Sequence, residues 1–365
     1  KIAIFSPNRN PYSETFIQAH KLYLKGEVYY YYGALHQMQL EGETSLVSNT
    51  KDLALRLKKK LLNKSNKWLA TQRLLQSLDR NKIEVILIEY GTHAHQLLPV
   101  LTALNIPFVV HFHGYDASVH QVIENTNRYK EVFQRASKVI AVSKRMEDML
   151  LHLGCPKDKL VYNVYGPQVA FESVSAKFTK QQLVFVGRFT DKKAPYFTIM
   201  AFQKIAHRFP EAQLLMAGQG ELLNACQNLV THFKLENQVQ FLGVITPEAY
   251  RELLETSIAY VQHSITASSG DMEGTPLAIL EASVAGLPVI STRHAGIPDV
   301  IVHGETGLLC EEQDVATMAQ YMADVLDDIE KAKQMGANGK KHILTHYTLE
   351  RHIHVLNTLL EAVAT

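Results

Sequence analysis

Two glutamates eight positions apart, Glu273 and Glu281, bracket Gly274-Thr275-Pro276-Leu277, which leads into the apolar run Leu277 to Ala285. Thr275 reads as a helix N-cap, Pro276 as the first helical residue and Gly286 as a left-handed terminator. A helix starting behind a glycine-bearing loop presents unpaired N–H groups and partial positive charge, a seat for phosphate. Two carboxylates could also be the acid and nucleophile of a hydrolase. Eight residues of helix span about 12 Å, however, against roughly 5–9.5 Å between paired hydrolytic carboxylates. The spacing instead suits two grips on opposite ends of an extended ligand through its hydroxyls. A nucleotide sugar is such a ligand.

Other candidates follow strand-like runs. In Gly187-Arg188-Phe189-Thr190-Asp191-Lys192-Lys193, Arg188 could hold a diphosphate by a forked contact and Lys193 as a point charge. Gly218-Gln219-Gly220 could bring backbone close to phosphate, although a lone GxG reads equally as a simple turn. His113, in His111-Phe112-His113-Gly114-Tyr115-Asp116, is expected to enter a cleft opposite the helix mouth and hydrogen-bond a sugar hydroxyl or reacting carbonyl. His93 and His95 form another HxH pair. Neither pair has a cysteine or carboxylate cluster to complete a shell, and 17 histidines make chance pairs common. Asp271 has no DxD partner to hold a divalent cation. No metal and no cofactor are therefore expected.

These residues need a scaffold, and the hydrophobic pattern supplies one. Apolar runs at residues 1–6, 27–32, 83–89, 107–112, 138–142 and 160–164 alternate with helical patterns at 53–78, 95–104, 117–135 and 145–153. A second series has strands at 183–187, 213–217, 239–242, 259–262 and 288–291, with helices at 196–208, 221–234, 247–256, 276–285 and 315–327. Ser13 is the expected cap of a helix running to Leu24. Such alternation predicts an α/β protein of two doubly wound Rossmann-like domains, each with a parallel sheet covered on both faces. The expected boundaries are 1–166 and 167–345, with a C-terminal helix at 346–365. A chain of 365 residues suits two cores.

Net charge of +1 argues against nucleic acid as a partner, and no apolar run reaches the roughly 18 residues of a membrane span. Three scattered cysteines suit a reducing cytoplasm. The chain begins at Lys1, which is compatible with a trimmed leader. Residues 51–82 depart from the average, with a local net charge of +8 and interleaved leucines. One reading is an amphipathic helix on an anionic membrane surface; the other is a sheet-covering helix with a solvated basic face.

From Leu183 to Asp314 the chain resembles the retaining nucleotide-sugar glycosyltransferases of family 4, with the two-domain GT-B fold. The E-x7-E motif, Glu273 to Glu281, lies in EGTPLAILEASVAGLPVISTRHAGIPDVI and is trailed by HGETGLL. Arg188 and Lys193 match the family's phosphate-binding pair. HFHGYD and SETFI are similar to a subgroup building bacterial exopolysaccharide and other surface glycans. Many relatives carry a glycine pair in the first loop, where this chain has Pro7-Asn8-Arg9-Asn10-Pro11.

The resemblance implies that Glu281 holds the ribose hydroxyls, Arg188 and Lys193 the diphosphate, and Glu273 the sugar hydroxyls. Gly187 and Gly218 would border the diphosphate, and the amides of Gly274, Thr275 and Leu277 would complete the seat. Val244 would lie beside the base, His113 would meet the sugar from the first domain, and the final helix would cross back onto that domain. The catalytic set is thus His113, Arg188, Lys193 and Glu273. The implied reaction moves a hexosyl unit from a UDP-sugar, or GDP-mannose, to a glycan or lipid-linked glycan, retaining configuration and without metal. Same-face attack by the acceptor hydroxyl with the diphosphate as base is expected, since no enzymic nucleophile stands out. The implied location is the cytoplasm, peripheral on the inner membrane face. Rival readings are a non-catalytic nucleotide-sugar-binding protein and a GT-B-like phosphorylase or epimerase; a dehydrogenase would need the GxGxxG that Ser6-Pro7-Asn8-Arg9-Asn10 lacks.

Overall fold

The structure, a computed structural model, describes residues 1–9 and 14–364, so Ser13, the expected first cap, lies outside the described residues. The chain divides into two compact units. One comprises Lys1–Val142, Met146–Asn163 and Ile353–Thr365; the other comprises Ser143–Arg145 and Val164–His352.

The first unit is built on a seven-stranded sheet. Its strands are β1 (Ile2–Ser6), β2 (Val28–Tyr32), β3 (Gln39–Leu40), β4 (Val85–Glu89), β5 (Phe108–His111), β6 (Lys138–Ala141) and β7 (Leu160–Tyr162), in the order β3-β2-β1-β4-β5-β6-β7. All pairings are parallel except β2 with β3. Every residue of β1, β4 and β5 is buried, which is why these strands read as continuous apolar runs. The edge strand β3 is two residues long and carries no such pattern.

The second unit has a six-stranded parallel sheet of β8 (Gln182–Val186), β9 (Gln213–Ala217), β10 (Val239–Gly243), β11 (Ala259–Val261), β12 (Val289–Thr292) and β13 (Gly307–Cys310). Their order is β10-β9-β8-β11-β12-β13. In both sheets the order reverses beside the first strand, and doubly wound folds bind ligands at the carboxyl ends there. In the second unit that point lies between β8 and β11, so the loops after Val186 and Val261 are the ones to inspect.

Several expected helices differ. The single helix expected over 53–78 is two, Asn49–Leu61 and Asn66–Asn81. Asn63 takes a left-handed φ of 47°, and Ser65 Oγ accepts from Trp68 N–H at 3.1 Å, starting the second helix afresh. The helix expected over 117–135 is also broken, because Asn127, Arg128 and Tyr129 all have positive φ. Tyr129, fully buried, donates its hydroxyl to Asp116 O at 2.6 Å and anchors that break. The helix Gly91–Leu101 starts four residues earlier than expected, and Ile329–His346 was not anticipated at all. The last helix, Leu349–Ala364, belongs to the first unit from Ile353 onward, where Asn357 Oδ1 accepts from Lys25 N–H at 2.9 Å.

Candidate functional site

In the second unit, β8 ends in a crowded turn. A Cβ on Gly187 would stand 2.8 Å from Lys193 Cδ, so the lysine stem lies against the bare glycine. Gly218 has φ +135°, and a Cβ there would come within 1.9 Å of the Gly187 carbonyl oxygen. The GxG after β9 is therefore not a simple turn. Its first glycine is required by backbone approaching backbone, and Phe189 N–H donating to Gln219 O at 3.0 Å locks the two loops together.

Lys193 follows from this packing. Its Nζ lies 3.0 Å from Glu273 Oε1 and 3.4 Å from Gln262 Oε1, just beyond β11. Burial alone would raise the Glu273 carboxyl, but the charges of Lys193 and Lys192 hold it down at about 2. Burial pulls the Lys193 ammonium below its usual range while Glu273 opposes that shift. At 3.0 Å both are read as charged. Beyond Lys193, Glu273 Oε1 has no hydrogen-bond donor among the described residues. Lys192 is also tied in, to Asp271 Oδ1 at 3.0 Å and Met272 O at 3.3 Å.

The backbone of this loop is held from the turn after β12. Glu273 N–H donates to His294 Nε2 at 3.1 Å, and His294 Nδ1 lies 2.6 Å from Glu312 Oε1. Because Nε2 accepts, the proton sits on Nδ1 and is shared with the Glu312 carboxylate. Glu312 Oε2 also accepts from Thr266 N–H at 2.9 Å. Gly296 donates its N–H to Gly274 O at 3.0 Å, and a Cβ on Gly296 would meet that oxygen at 2.3 Å and Thr275 Oγ1 at 2.4 Å. Gly296, His294 and Glu312 thus support the site from outside the motif's two glutamates.

The helix spans Leu277–Val284, with Pro276 and not Thr275 at its N-cap. Thr275 is buried with its hydroxyl packed toward Gly296, which removes it from capping geometry. Ile279 and Leu280 N–H both reach Pro276 O, at 3.1 and 3.4 Å, whereas the Leu277 and Ala278 N–H groups have no partner among the described residues. Those two amides form the open mouth. Since the helix starts at Leu277, Glu273 lies outside it, and the 12 Å helical separation used against a hydrolase does not apply. The ion pair to Lys193 bears on that question instead.

Glu281 sits inside the helix, buried, with no hydrogen bond or ion pair among the described residues, and burial pushes its carboxyl up to about 8. Arg188 is exposed at the turn and makes no ion pair among the described residues. Val244 is half exposed directly after Gly243, whose φ is +66°.

His113 belongs to the first unit, where it joins a cluster invisible in the sequence. Glu89, the last residue of β4, is fully buried. Its Oε1 lies 2.7 Å from His20 Nδ1, and its Oε2 lies 2.8 Å from His113 Nε2 and 3.6 Å from His111 Nδ1. Burial would raise this carboxyl, but His20 and His113 bring it to about 2. One His113 nitrogen is thereby committed to Glu89, which fixes the orientation of the ring. The loop is held by Asp116, whose carboxylate accepts from the N–H groups of Gly91 at 2.9 Å, His113 at 3.0 Å and Gly114 at 2.9 Å. His20, Glu89 and His111 bring ligand atoms within 4.8 Å of one another, with His20 hydrogen-bonded to the carboxylate and His111 at 3.6 Å, beyond hydrogen-bond reach of it. His93 lies elsewhere in the helix Gly91–Leu101, held neutral by burial at about 4, and His95 is two residues along on a different side.

Against known families, residues 169–342 match the glycosyl transferases group 1 model and residues 41–163 the glycosyltransferase family 4 model. The putative colanic acid biosynthesis glycosyltransferase WcaL of Escherichia coli (strain K12) is 29% identical over 216 residues, 58% of this chain and 53% of that protein. The amylovoran biosynthesis glycosyltransferase AmsK of Erwinia amylovora is 28% identical over 248 residues, 66% of this chain and 60% of that protein. The chain thus spans little more than half the length of these curated relatives. Among solved structures, Anabaena Alr3699/HepE in complex with UDP-glucose superimposes with a TM-score of 0.79 at 15% identity, covering 99% of both chains. With both sheets doubly wound, and the two family models together accounting for most of its length, the chain belongs to the family 4-type glycosyltransferases of GT-B fold.

Proposed function

We propose that the protein is a retaining glycosyltransferase moving a hexosyl unit from a nucleoside-diphosphate sugar to a hydroxyl of a glycan or lipid-linked glycan, without a metal ion. The observation that carries this is the second-unit site, where the largely covered side chains of Lys193 and Glu273 face each other and the unpartnered carboxyl of Glu281 lies inside the adjoining helix. Arg188, Lys193 and the open amides of Leu277 and Ala278 are suited to a diphosphate. Gly187 and Gly218 let backbone approach it, and the Gly274–Thr275 backbone lines the sugar side. Glu281 is assigned to the ribose hydroxyls, Val244 to the base, Glu273 to the sugar hydroxyls, and His113 to a polar contact with the sugar. The UDP-glucose bound by Anabaena HepE favours a UDP-sugar here, with GDP-mannose as the alternative.

Charge development sets the mechanism. The bond from the anomeric carbon to the diphosphate breaks while the acceptor oxygen bonds to the same face, and the hydroxyl proton passes to the departing diphosphate oxygen. Preorganised positive groups stabilise the diphosphate as its charge grows. Glu273, held ionised by Lys193, is suited to accepting sugar hydroxyls. The acceptor reading is accompanied by a second proposal, that the basic segment 51–82 contacts the anionic inner face of a membrane. No helix among the described residues is long and apolar enough to cross one.

A donor screen tests the activity. UDP-glucose, UDP-galactose, UDP-N-acetylglucosamine and GDP-mannose are each offered with a glycan acceptor, following nucleoside diphosphate release and the anomeric NMR signal of the product. Release from one donor with the same anomeric configuration in the product is expected. Tight UDP binding with no release from any donor would favour a non-catalytic binding protein, and an inverted product would overturn the retaining mechanism.

A further inference from the structure

The two helices in the basic segment divide the roles that the sequence left competing. Asn66–Asn81 buries Leu69, Ala70, Leu74 and Leu78 and covers the core. Asn49–Leu61 buries only Leu55. Its other leucines face solvent, with Leu53 61%, Leu57 55% and Leu61 85% exposed, and Leu62 just past its end 51% exposed. Leu53, Leu57 and Leu61 recur every fourth residue and so fall within an arc of about 80° on one face. Single exposed leucines are ordinary, but an aligned stripe of them is not.

Charge surrounds the stripe. Projected on the helix, Arg56 and Lys60 flank one side and Lys51 and Lys58 the other, with Lys64 following the C-terminus. Arg56 is paired with Asp52 at 2.7 Å, whereas Lys51, Lys58, Lys60 and Lys64 make no ion pair among the described residues. An apolar stripe between unpaired cations complements a lipid surface, with leucines below the headgroups and ammonium groups at phosphate level.

We propose that the Leu53–Leu57–Leu61 stripe inserts into an anionic lipid leaflet, so that this helix lies in the membrane interface and the contact is hydrophobic as well as electrostatic. This deepens the membrane contact proposed above and rests on that reading. The geometry distinguishes insertion from surface attraction, because attraction between exposed charges is screened by salt while burial of leucine is not.

The full chain is floated with phosphatidylcholine vesicles, with and without phosphatidylglycerol, at low salt and at about 0.5 M NaCl, where the Debye length shrinks to a few ångströms. Three proteins are compared: wild type, Leu53→Ser/Leu57→Ser/Leu61→Ser, and Lys58→Ser/Lys60→Ser/Lys64→Ser. Wild type should bind anionic vesicles and keep a fraction bound at high salt. The leucine variant should lose that salt-resistant fraction, with partitioning weakened roughly tenfold or more, since even partial burial of three leucines is worth more than one tenfold step. The lysine variant should lose mainly the low-salt, anionic-lipid dependence. Loss of all wild-type binding at high salt would overturn insertion, as would equal salt resistance in wild type and leucine variant. Size-exclusion chromatography of the same proteins detects the other occupant: a wild-type dimer made monomeric by the leucine variant, without vesicle binding, would assign the stripe to a second copy and overturn the proposal. The substituted leucines are solvent-exposed, so matching thermal melts exclude misfolding. Donor turnover with a soluble acceptor reads the enzymatic proposal separately.

Discussion

Replacing Glu281 by glutamine tests whether its carboxyl is a buried acid waiting for a ligand. Burial moves this group from 4.5 to about 8. The folded state therefore holds the proton more tightly than the unfolded chain. The stability it contributes is fully present below about pH 4.5 and is lost progressively as pH rises through about 8. At 1.36 kcal/mol per pH unit, the loss at pH 7 is on the order of 3 kcal/mol. Glutamine keeps the shape and carries no titrating proton. Glu281→Gln should thus gain stability over wild type as pH rises from 5 to 8, by roughly 5–10 °C in melting temperature at pH 7. Donor binding supplies the second readout. At pH 7 about nine-tenths of the free protein carries the proton on Glu281, and ribose hydroxyls donating to the carboxylate favour its loss. UDP binding measured calorimetrically in buffers of different ionisation enthalpy should release most of one proton at pH 7 and almost none at pH 9. Glu281→Gln should bind UDP more weakly and release none from this position. A melting difference that does not change with pH, together with proton release equal in wild type and variant, would refute both the isolation of the carboxyl and its ribose role.

Lys193→Ala and Glu273→Ala should each abolish most sugar transfer, and near-normal turnover in either would remove the site assignment. Lys193→Met should also destabilise by about 3–5 kcal/mol, because it strands a buried charge, and adding Glu273→Gln should restore most of the stability but none of the transfer, as chemical denaturation and turnover would show together. Gly218→Ala should lower the melting temperature of the second unit, since its methyl would overlap the Gly187 carbonyl oxygen; an unchanged melt would mean that the turn relaxes freely. Glu89 is held at about 2, so its stabilisation is present above pH 4.5 and is lost as pH falls through about 2. Acid unfolding of Glu89→Gln should be flatter over that window than that of wild type.

What the sequence disclosed follows the range of the interactions involved. Parallel strands buried on both faces announce themselves as apolar runs, so most were legible, while β3, with two residues at an edge, had no pattern to read, and the four-residue edge strand β13 was missed. Helix breaks were missed where a few left-handed residues decide, as at Asn63 and at Asn127, Arg128 and Tyr129. Glu273, Glu281, Arg188 and Lys193 were readable because their types and local spacing carry the chemistry. Glu89, His294 and Glu312 were not, because each acts through partners from another element. Glu89 meets His20 from 69 positions earlier, and His294 reaches back 21 positions to the Glu273 amide. The Thr275 cap failed because the helix starts at Leu277, which puts Pro276 at the N-cap. Protonation was the least legible property, because a sequence carries no measure of burial.

The two glutamates of the opening motif end in opposite states, Glu273 at about 2 and Glu281 at about 8, and the neighbouring lysines, Lys193 foremost and then Lys192, make the difference. One contact between an ammonium with three donors and a carboxylate with about four acceptor sites leaves most of both for a substrate. Here Lys193 and Glu273 approach to 3.0 Å, and the ammonium's other contact, to Gln262, is long at 3.4 Å. Each charge is therefore stabilised by the other while its hydrogen-bonding directions stay available. Charge-assisted hydrogen bonds are roughly twice as strong as neutral ones. A glycosyl donor needs such bonds on both sides of the bond that breaks, donated to the diphosphate as it leaves and accepted from the sugar hydroxyls that keep the ring in place. One buried pair can offer both, which explains why removing either partner should cost transfer even in a background where the fold has been restored.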